Sequence, residues 1–523
     1  MKTDVMIVGA GPTGLSLACQ LVRHGIDFII VDQKEGVTPL SKALGVQART
    51  MEIYEQLGLA GQALERGTIA DKVKLISGGK VHDGFNLSEM GEGISPYPYM
   101  LVLEQSKNEQ LLYEYLQRHQ QNVRWNTTLE DFSQDDRGVQ AVVKEGDNES
   151  YTIDAKYLVG CDGGRSPVRH ILDLDFVGST DERLFYVADI EIEWDLTHDA
   201  LHGCLGHDSF TFFFPMLGNN RWRVVGNLPE QTSFTEIEMD ASALEQQVKA
   251  VTGLSLEIAE MNWFSSYRVH TRHVQQFSKE RCFLAGDAAH VHTPAGGQGM
   301  NTGIQDAYNL AWKLSFVLKG NADEGLLASY NQERLENAKN LVESTDRMFD
   351  LMAGSNPLVS LLRTTVLPPL VKHIFSFDIV QKGLFSLVSE TGISYPDSPL
   401  SLDFEAVKLK MKAGDRMPYC FTEGKSIYDK LRDPKFHALT FLKEDSSAEL
   451  TINREDSDQV NYRTLPLSSS VAKAFGTDES FSLLLRPDNH ISFIARNNFA
   501  AHLDDYFNRI GQKEKATGVL SAA

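Results

Sequence analysis

The first 33 residues constrain the fold more than any other stretch of the chain. Asp4-Val-Met-Ile-Val8 is a short apolar run of the kind that fills a buried parallel strand. It stops at Gly9-Ala-Gly11-Pro12-Thr13-Gly14, after which Leu15, Leu17, Ala18, Leu21 and Val22 recur at helical spacing. A second buried run, Phe28–Val31, ends at Asp32 and Gln33, close to the offset of about 20 residues at which a carboxylate meets a ribose. Each part has a mechanical reason. Gly9 permits a tight turn, Gly11 lets a pyrophosphate approach the backbone, and Gly14 lets the helix pack on the strand. The helix N-terminus offers amide donors and the positive end of its dipole to the phosphates. Strand, glycine turn, helix and acid together predict a Rossmann-like α/β unit that binds a dinucleotide. NAD and FAD both place adenosine diphosphate on such a turn, so this motif does not separate them.

Two later turns bear on that choice. Tyr157-Leu-Val159 runs into Gly160-Cys161-Asp162-Gly163, and Cys282-Phe-Leu-Ala285 runs into Gly286-Asp287. In an open α/β sheet, ligands sit beyond the carboxyl ends of the strands, so three such ends line one long cleft. A nicotinamide enzyme would not need the third. After Asp287 comes Thr293-Pro294-Ala-Gly-Gly297-Gln-Gly299-Met300-Asn301, then Ile304, Ala307, Leu310, Ala311 and Leu314 at helical spacing. A helix start of this kind suits the pyrimidine edge of a reduced flavin, where negative charge gathers. On the residues alone, a plain flexible loop is an equal reading.

Taken together, these turns resemble the flavoprotein aromatic hydroxylases. That family comprises FAD-dependent monooxygenases of the para-hydroxybenzoate and phenol hydroxylase type, here similar to the polyketide aromatic hydroxylase subgroup. The resemblance extends through Tyr267-Arg-Val-His270, Arg272, Gln305-Asp306-Ala307, Asn309–Leu314 and Tyr330–Arg334. It covers the whole chain, with its strong motifs in the first 335 residues. It implies that Gly9, Gly11, Pro12, Thr13, Gly14, Asp32 and Gln33 hold the adenosine end of FAD. By the same resemblance Arg49 and Gln105 contact the phosphate and ribityl region, and Gly286 and Asp287 face the ribityl and pyrophosphate groups. Asp162 lies in a turn used for cofactor and pyridine-nucleotide handling. Pro294, Gly297, Gly299, Met300 and Asn301 would lie against the isoalloxazine. The implied reaction uses NAD(P)H, bound transiently without a Rossmann domain of its own, and O2. A flavin C4a-hydroperoxide then hydroxylates a phenolic or polycyclic aromatic substrate. Baeyer–Villiger, epoxidising or antibiotic-inactivating oxygenation, or flavin binding without monooxygenase activity, are the alternatives. No motif fixes a catalytic residue. Tyr186, His202, His270 and His290 have suitable chemistry for proton transfer, but each is more readily a structural residue.

The motif positions also set the organisation. The flavin domain is discontinuous, with a first part at 1–175 and a second, with covering helices, at 270–395. Between them, 176–269 holds Leu184–Val187, Phe210–Phe214 and Arg221–Val225, which predict an inserted antiparallel sheet for substrate. Phe212 and Phe214 share one face, filling a core or lining an aromatic pocket. Residues 400–523 resemble a thioredoxin-like domain, but Cys420 stands alone and no CxxC is present.

Composition excludes other classes. Of 523 residues, 50 are Lys or Arg and 71 Asp or Glu, a net charge of −21 that disfavours a nucleic-acid partner. Five scattered cysteines form neither a disulfide framework nor a zinc ligand set. The most apolar stretch, Pro357–Phe375, is broken by Arg363, Lys372, His373 and prolines, so no membrane span is expected. The expectation is a cytoplasmic enzyme without a metal, either a monomer or a homodimer.

Overall fold

The computed structural model describes residues 1–39, 43–194, 196–206, 209–228, 238–293, 295–353, 377–405, 407–444 and 454–511. They fall into two units. The first comprises Met1–Val22, Asp27–Ala307 and Arg334–Gly392, and the second Arg23–Ile26, Tyr308–Glu333 and the chain from Ile393 onward.

In the first unit Lys2–Val8 lies between Phe28–Val31 and Tyr151–Gly160 and runs parallel to both; Tyr151–Gly160 is in turn parallel to Cys282–Leu284. Val5, Met6, Ile7 and Val8 are all buried, which is why the run is continuously apolar rather than alternating. The register sets Val8 opposite both Val31 and Gly160, and Gly160 opposite Leu284. The four strands therefore end level, and the glycine–acid turns that follow them stand in one row. The helix Pro12–Arg23 buries Leu15, Leu17, Ala18 and Leu21, four of the five positions its spacing predicted, and leaves Val22 half-buried near its end.

The second sheet of this unit has eight strands. Their order is His290–Val291, Glu257–Val274, Phe176–Glu193, Arg221–Asn227, Phe210–Pro215, Ala200–Leu205, Lys72–Ser77 and Lys80–Asn86. All neighbours are antiparallel except Ala200–Leu205 with Lys72–Ser77. It is wider than residues 176–269. The 72–86 hairpin pairs along one edge, one long strand runs on to Val274, and His290–Val291 pairs along the other edge. An open edge leaves backbone donors and acceptors unpaired, and these borrowed strands satisfy them. One face, with Tyr186, Ala188, Phe213, Trp222 and Val224, is closed by Leu244 and Val248 of the helix Ala241–Thr252. The other carries Phe185, Phe210, Phe212, Val225 and Tyr267. At one end of that second face, Leu201 and Phe214 pack with Leu44 and Ala48.

The second unit holds a four-stranded sheet in the order Val460–Pro466, Phe436–Leu442, Phe481–Leu485, Ile491–Ala495. The first pair is parallel and the others antiparallel, with helices at Ser469–Phe475 and Phe499–Arg509; this is a thioredoxin-like order. Alternation splits the strand Phe436–Leu442 between two cores. Phe436 and Ala438 pack with Leu503 and Tyr506, whereas Leu439 and Phe441 pack with Val471 and Phe475. Cys420 belongs to the latter, and burial pushes its thiol up to about 12, which makes it a poor nucleophile. Arg486 lies between Glu333 and Asp488, and Lys313 pairs with Glu333 at 2.8 Å, all of them buried. Among the described residues no helix is long and apolar enough to cross a membrane, and no cluster of side chains would hold a metal ion. The Pro357–Phe375 stretch lies outside the described residues.

Candidate cofactor site

The three turns meet by contact as well as by register. At Gly9, where φ is +103°, a Cβ would stand 2.4 Å from the Cys161 carbonyl oxygen, and at Gly14 it would stand 1.9 Å from the Gly9 carbonyl oxygen. The first turn thus seats on the second, and its helix seats on the turn. The Thr13 hydroxyl is wedged against the third strand end and the glycine-loop helix Gly299–Leu318. A Cβ at Gly286 would come within 2.4 Å of it and one at Gly303 within 2.3 Å. A Cβ at Gly11 meets nothing within 4 Å among the described residues. That side of the turn is open, as a phosphate approach requires.

The carboxylates are held in different ways. Asp32 accepts the Ala10 amide at 2.6 Å on one oxygen and the Lys34 amide at 2.8 Å on the other. Each oxygen keeps a second lone pair for a ribose hydroxyl. Asp162 accepts the Val168 amide on Oδ2, while its buried Oδ1 has no partner among the described residues; burial raises its carboxyl, opposed by its bonds to Ser166 and Val168. Asp287 and Gln33 are exposed. Arg49 is buried and pairs with Glu52 at 3.0 Å on the same helix. Gln105 accepts the Ala43 amide at 3.2 Å and donates to Glu109 at 2.9 Å. Both side chains thus brace the polypeptide near the site.

The glycine loop is clamped to the segment 45–50. Asn301 Oδ1 accepts from the Gln47 amide and the Thr50 hydroxyl, and its Nδ2 donates to the carbonyls of Gly45 and Gly297. Gln47 Nε2 donates to the Gly296 carbonyl at 2.9 Å. Gly296 and Gly297 hold φ of +80° and +64°, a region glycine adopts without a steric penalty. Met300 Sδ accepts from Asn108, and Gly299 packs near the His292 ring. Pro294 lies outside the described residues.

One cluster was not assigned a role from sequence. Asp306 takes Arg334 Nε at 2.5 Å on one oxygen and His290 Nε2 at 2.8 Å and the Gly286 amide at 2.8 Å on the other. Burial works against its charge, but Arg334 and His290 outweigh that and hold its carboxyl below the usual range. Beside it Glu390 accepts from Thr302 at 2.9 Å and from Gln305; burial pushes its carboxyl up to about 8. The available signal was the helix's one carboxylate, in line with Thr302, Asn309 and Lys313 at helical spacing among apolar residues; a buried polar stripe of this kind demands buried partners.

The site fits FAD on its own geometry. Gly11 leaves a phosphate-sized approach open, and Asp162 Oδ1, His290 Nδ1, His292 Nε2 and Thr293 Oγ1 are buried polar atoms around the turns without partners among the described residues. A family model described as FAD binding domain matches residues 2–345. The chain is 32% identical to a flavin-dependent monooxygenase of Mycobacteroides abscessus, over 84% of this chain and 88% of that one. It is 31% identical to 6-methylpretetramide 4-monooxygenase of Streptomyces rimosus, over 86% of this chain and 81% of the relative. Among solved structures, CabE, an aromatic hydroxylase from angucycline biosynthesis, matches with a TM-score of 0.76 at 28% identity, covering 97% of this chain and 99% of CabE. Fold and site define an FAD-binding oxidoreductase. The chain belongs to the FAD binding domain family and is a flavin-dependent monooxygenase, with FAD as cofactor and NAD(P)H as reductant.

Proposed function

We propose that this monooxygenase hydroxylates a phenolic polycyclic aromatic substrate laid against the open face of the eight-stranded sheet. The observation that carries this reading is the half-buried apolar floor of Phe212, Val225 and Tyr267 over the buried rings of Phe185 and Phe210. Two contacts tie the sheet that bears this floor to the segments flanking the glycine loop. Arg223 Nη1 donates to the Ala43 carbonyl at 3.4 Å, and Arg272 and His273 pair with Val291 and His290. Flat apolar surface of this kind favours planar rings by area burial and by offset ring contacts. The relatives named for 6-methylpretetramide and for angucycline biosynthesis support a polycyclic substrate.

FAD, when bound, supplies hydride acceptance from NAD(P)H and activation of O2. The chain's own residues bind and orient. The backbone of Gly9–Gly14 and the start of its helix meet the pyrophosphate, Asp32 the ribose, and Asp162, Gly286 and Asp287 the chain between them. Gly297, Gly299, Met300 and the Asn301 clamp shape the seat of the ring system, while Arg49 and Gln105 steady it from behind. The sheet above excludes water from the reacting edge. A purified protein that carries FAD should oxidise NAD(P)H several-fold faster with polycyclic phenols than with none or with simple phenol. Rates unmoved by any member of such a panel would contradict the reading.

A further inference from the structure

The four side chains with suitable chemistry for proton transfer each hold a structural partner. Tyr186 pairs with Thr211 on the helix-covered face, His202 Nε2 with the Thr197 carbonyl, His270 with Thr180 and His290 with Asp306. A buried acid that the proposed function does not use is Glu390. Among the described residues, nine other than glycine have a positive φ. Seven of them are exposed. The buried two are Asn489, a residue type that tolerates this region, and Glu390, at φ +59°. A glutamate in this conformation with its carboxyl buried is doubly unfavourable, so its surroundings must hold it there.

Those surroundings are the proposed seat of the ring system. Glu390 follows the helix Asp378–Val388, and the segment 387–391 grips three parts of that seat. The Leu387 carbonyl accepts Gln298 Nε2 of the glycine loop at 2.7 Å, and the Ser389 carbonyl accepts the Arg49 amide of the segment 45–50 at 3.2 Å. The Glu390 carboxyl reaches the start of the glycine-loop helix, where Thr302 and Gln305 bind one oxygen each. Asp306 faces it from the same helix, itself bound to His290, and Arg334 faces both carboxyls. Arg49 and Glu52 of the neighbouring helix pair with each other, as do Asp378 and Lys382 on the exposed side of Asp378–Val388. Burial, with Asp306 adding to it and Arg334 opposing it, pushes the Glu390 carboxyl up to about 8, so at neutral pH it carries its proton. A hydroxyl accepts as well as donates, so the bond to Thr302 persists with the proton on that carboxyl oxygen, while Gln305 donates to the other.

We propose that Glu390 is a positioning residue that straps the glycine loop and the start of its helix to the segment 45–50, and so fixes the seat on which the flavin ring is held. This rests on the cofactor placement of the proposed function and names what keeps that seat in shape. No proton passes to flavin or substrate. Ionisation sets a second buried carboxylate beside Asp306, and the strap opens to water rather than bury it. FAD and the Glu390 proton therefore favour the same closed seat, and each strengthens the binding of the other by the same factor.

The test is the Kd for FAD, measured by flavin fluorescence on FAD-stripped full-length protein between about pH 7 and pH 9, on either side of the Glu390 value. For the wild type it should rise at least about fivefold across that range, because the protonated carboxyl and FAD support each other. Glu390→Gln keeps the shape and both hydrogen bonds without the charge. It should match the wild type within about twofold at the lower pH and stay flat to the higher. Thr302→Val, which removes one tie and no charge, should weaken FAD about fivefold at the lower pH. A residue that merely stabilised the fold would shift unfolding midpoints but leave the pH dependence of FAD binding unchanged in Glu390→Gln. A wild-type Kd that is flat with pH, a Glu390→Gln Kd that rises as the wild type's does, or an unchanged Kd in Thr302→Val would overturn the proposal while FAD still binds. A protein that takes up no FAD at any pH would overturn the cofactor placement along with it.

Discussion

Neighbouring glycines of the first turn do different jobs, and a methyl group tells them apart. At Gly14 there is no room, so Gly14→Ala should lower the unfolding free energy by about 1–3 kcal/mol, measured by denaturant unfolding of the FAD-free protein. A Cβ at Gly11 meets nothing within 4 Å among the described residues. Gly11→Ala should therefore unfold at the same denaturant concentration but bind FAD at least about tenfold more weakly, because the methyl occupies the phosphate's approach. Glu390 gives a residue-scale pH effect. Its carboxyl is raised to about 8 in the folded chain by burial, above its value of about 4.5 when unfolded. The folded state thus binds the extra proton, so Glu390 favours folding fully below about pH 4.5 and loses that contribution as pH rises to about 8. Glu390→Gln should remove a slope of up to about 1.4 kcal/mol per pH unit across that window, read from stability curves at several pH values. An unchanged slope would mean that the buried carboxyl titrates normally.

Individual elements were legible in the sequence to the extent that their physics is local. Lys2–Val8, Phe28–Val31 and Cys282–Leu284 read as strands because burial on both faces leaves an unbroken apolar run. The glycine-loop helix read correctly from the spacing of Ile304, Ala307, Leu310, Ala311 and Leu314, all of them buried. Partners distant in sequence were not legible. Nothing local says that Asn301 ties Gly45 and Gln47 to the loop, or that the 72–86 hairpin widens the sheet. Asp306 and Arg334 show what such a pairing is worth. Both are fully buried, so Arg334→Met strips the Asp306 carboxylate of its guanidinium and leaves it only His290 and the Gly286 amide. A loss of about 3–5 kcal/mol is expected in denaturant unfolding, far more than an exposed pair would give.

For the whole molecule, the charge of −21 sets the overall field, while the proposed site leaves the cofactor's phosphates to backbone amides and an open glycine turn. The thioredoxin-like unit carries no dithiol, and all five cysteines are free and buried. Native protein should show no fast-reacting thiol toward a disulfide reagent, and unfolding should release five; fast modification of Cys420 in the native state would instead point to thiol chemistry in that unit. The central claim is that the two sheets of the first unit bring a flavin and an aromatic ring together for oxygen transfer. Its most direct test is turnover under ¹⁸O2 with the phenol that most stimulates NAD(P)H oxidation, read by mass spectrometry of the product. Incorporation of one ¹⁸O atom into the aromatic product, in proportion to the NAD(P)H consumed, is the expected result. Consumption of NAD(P)H that ends wholly in hydrogen peroxide, with no label in any product, would contradict it.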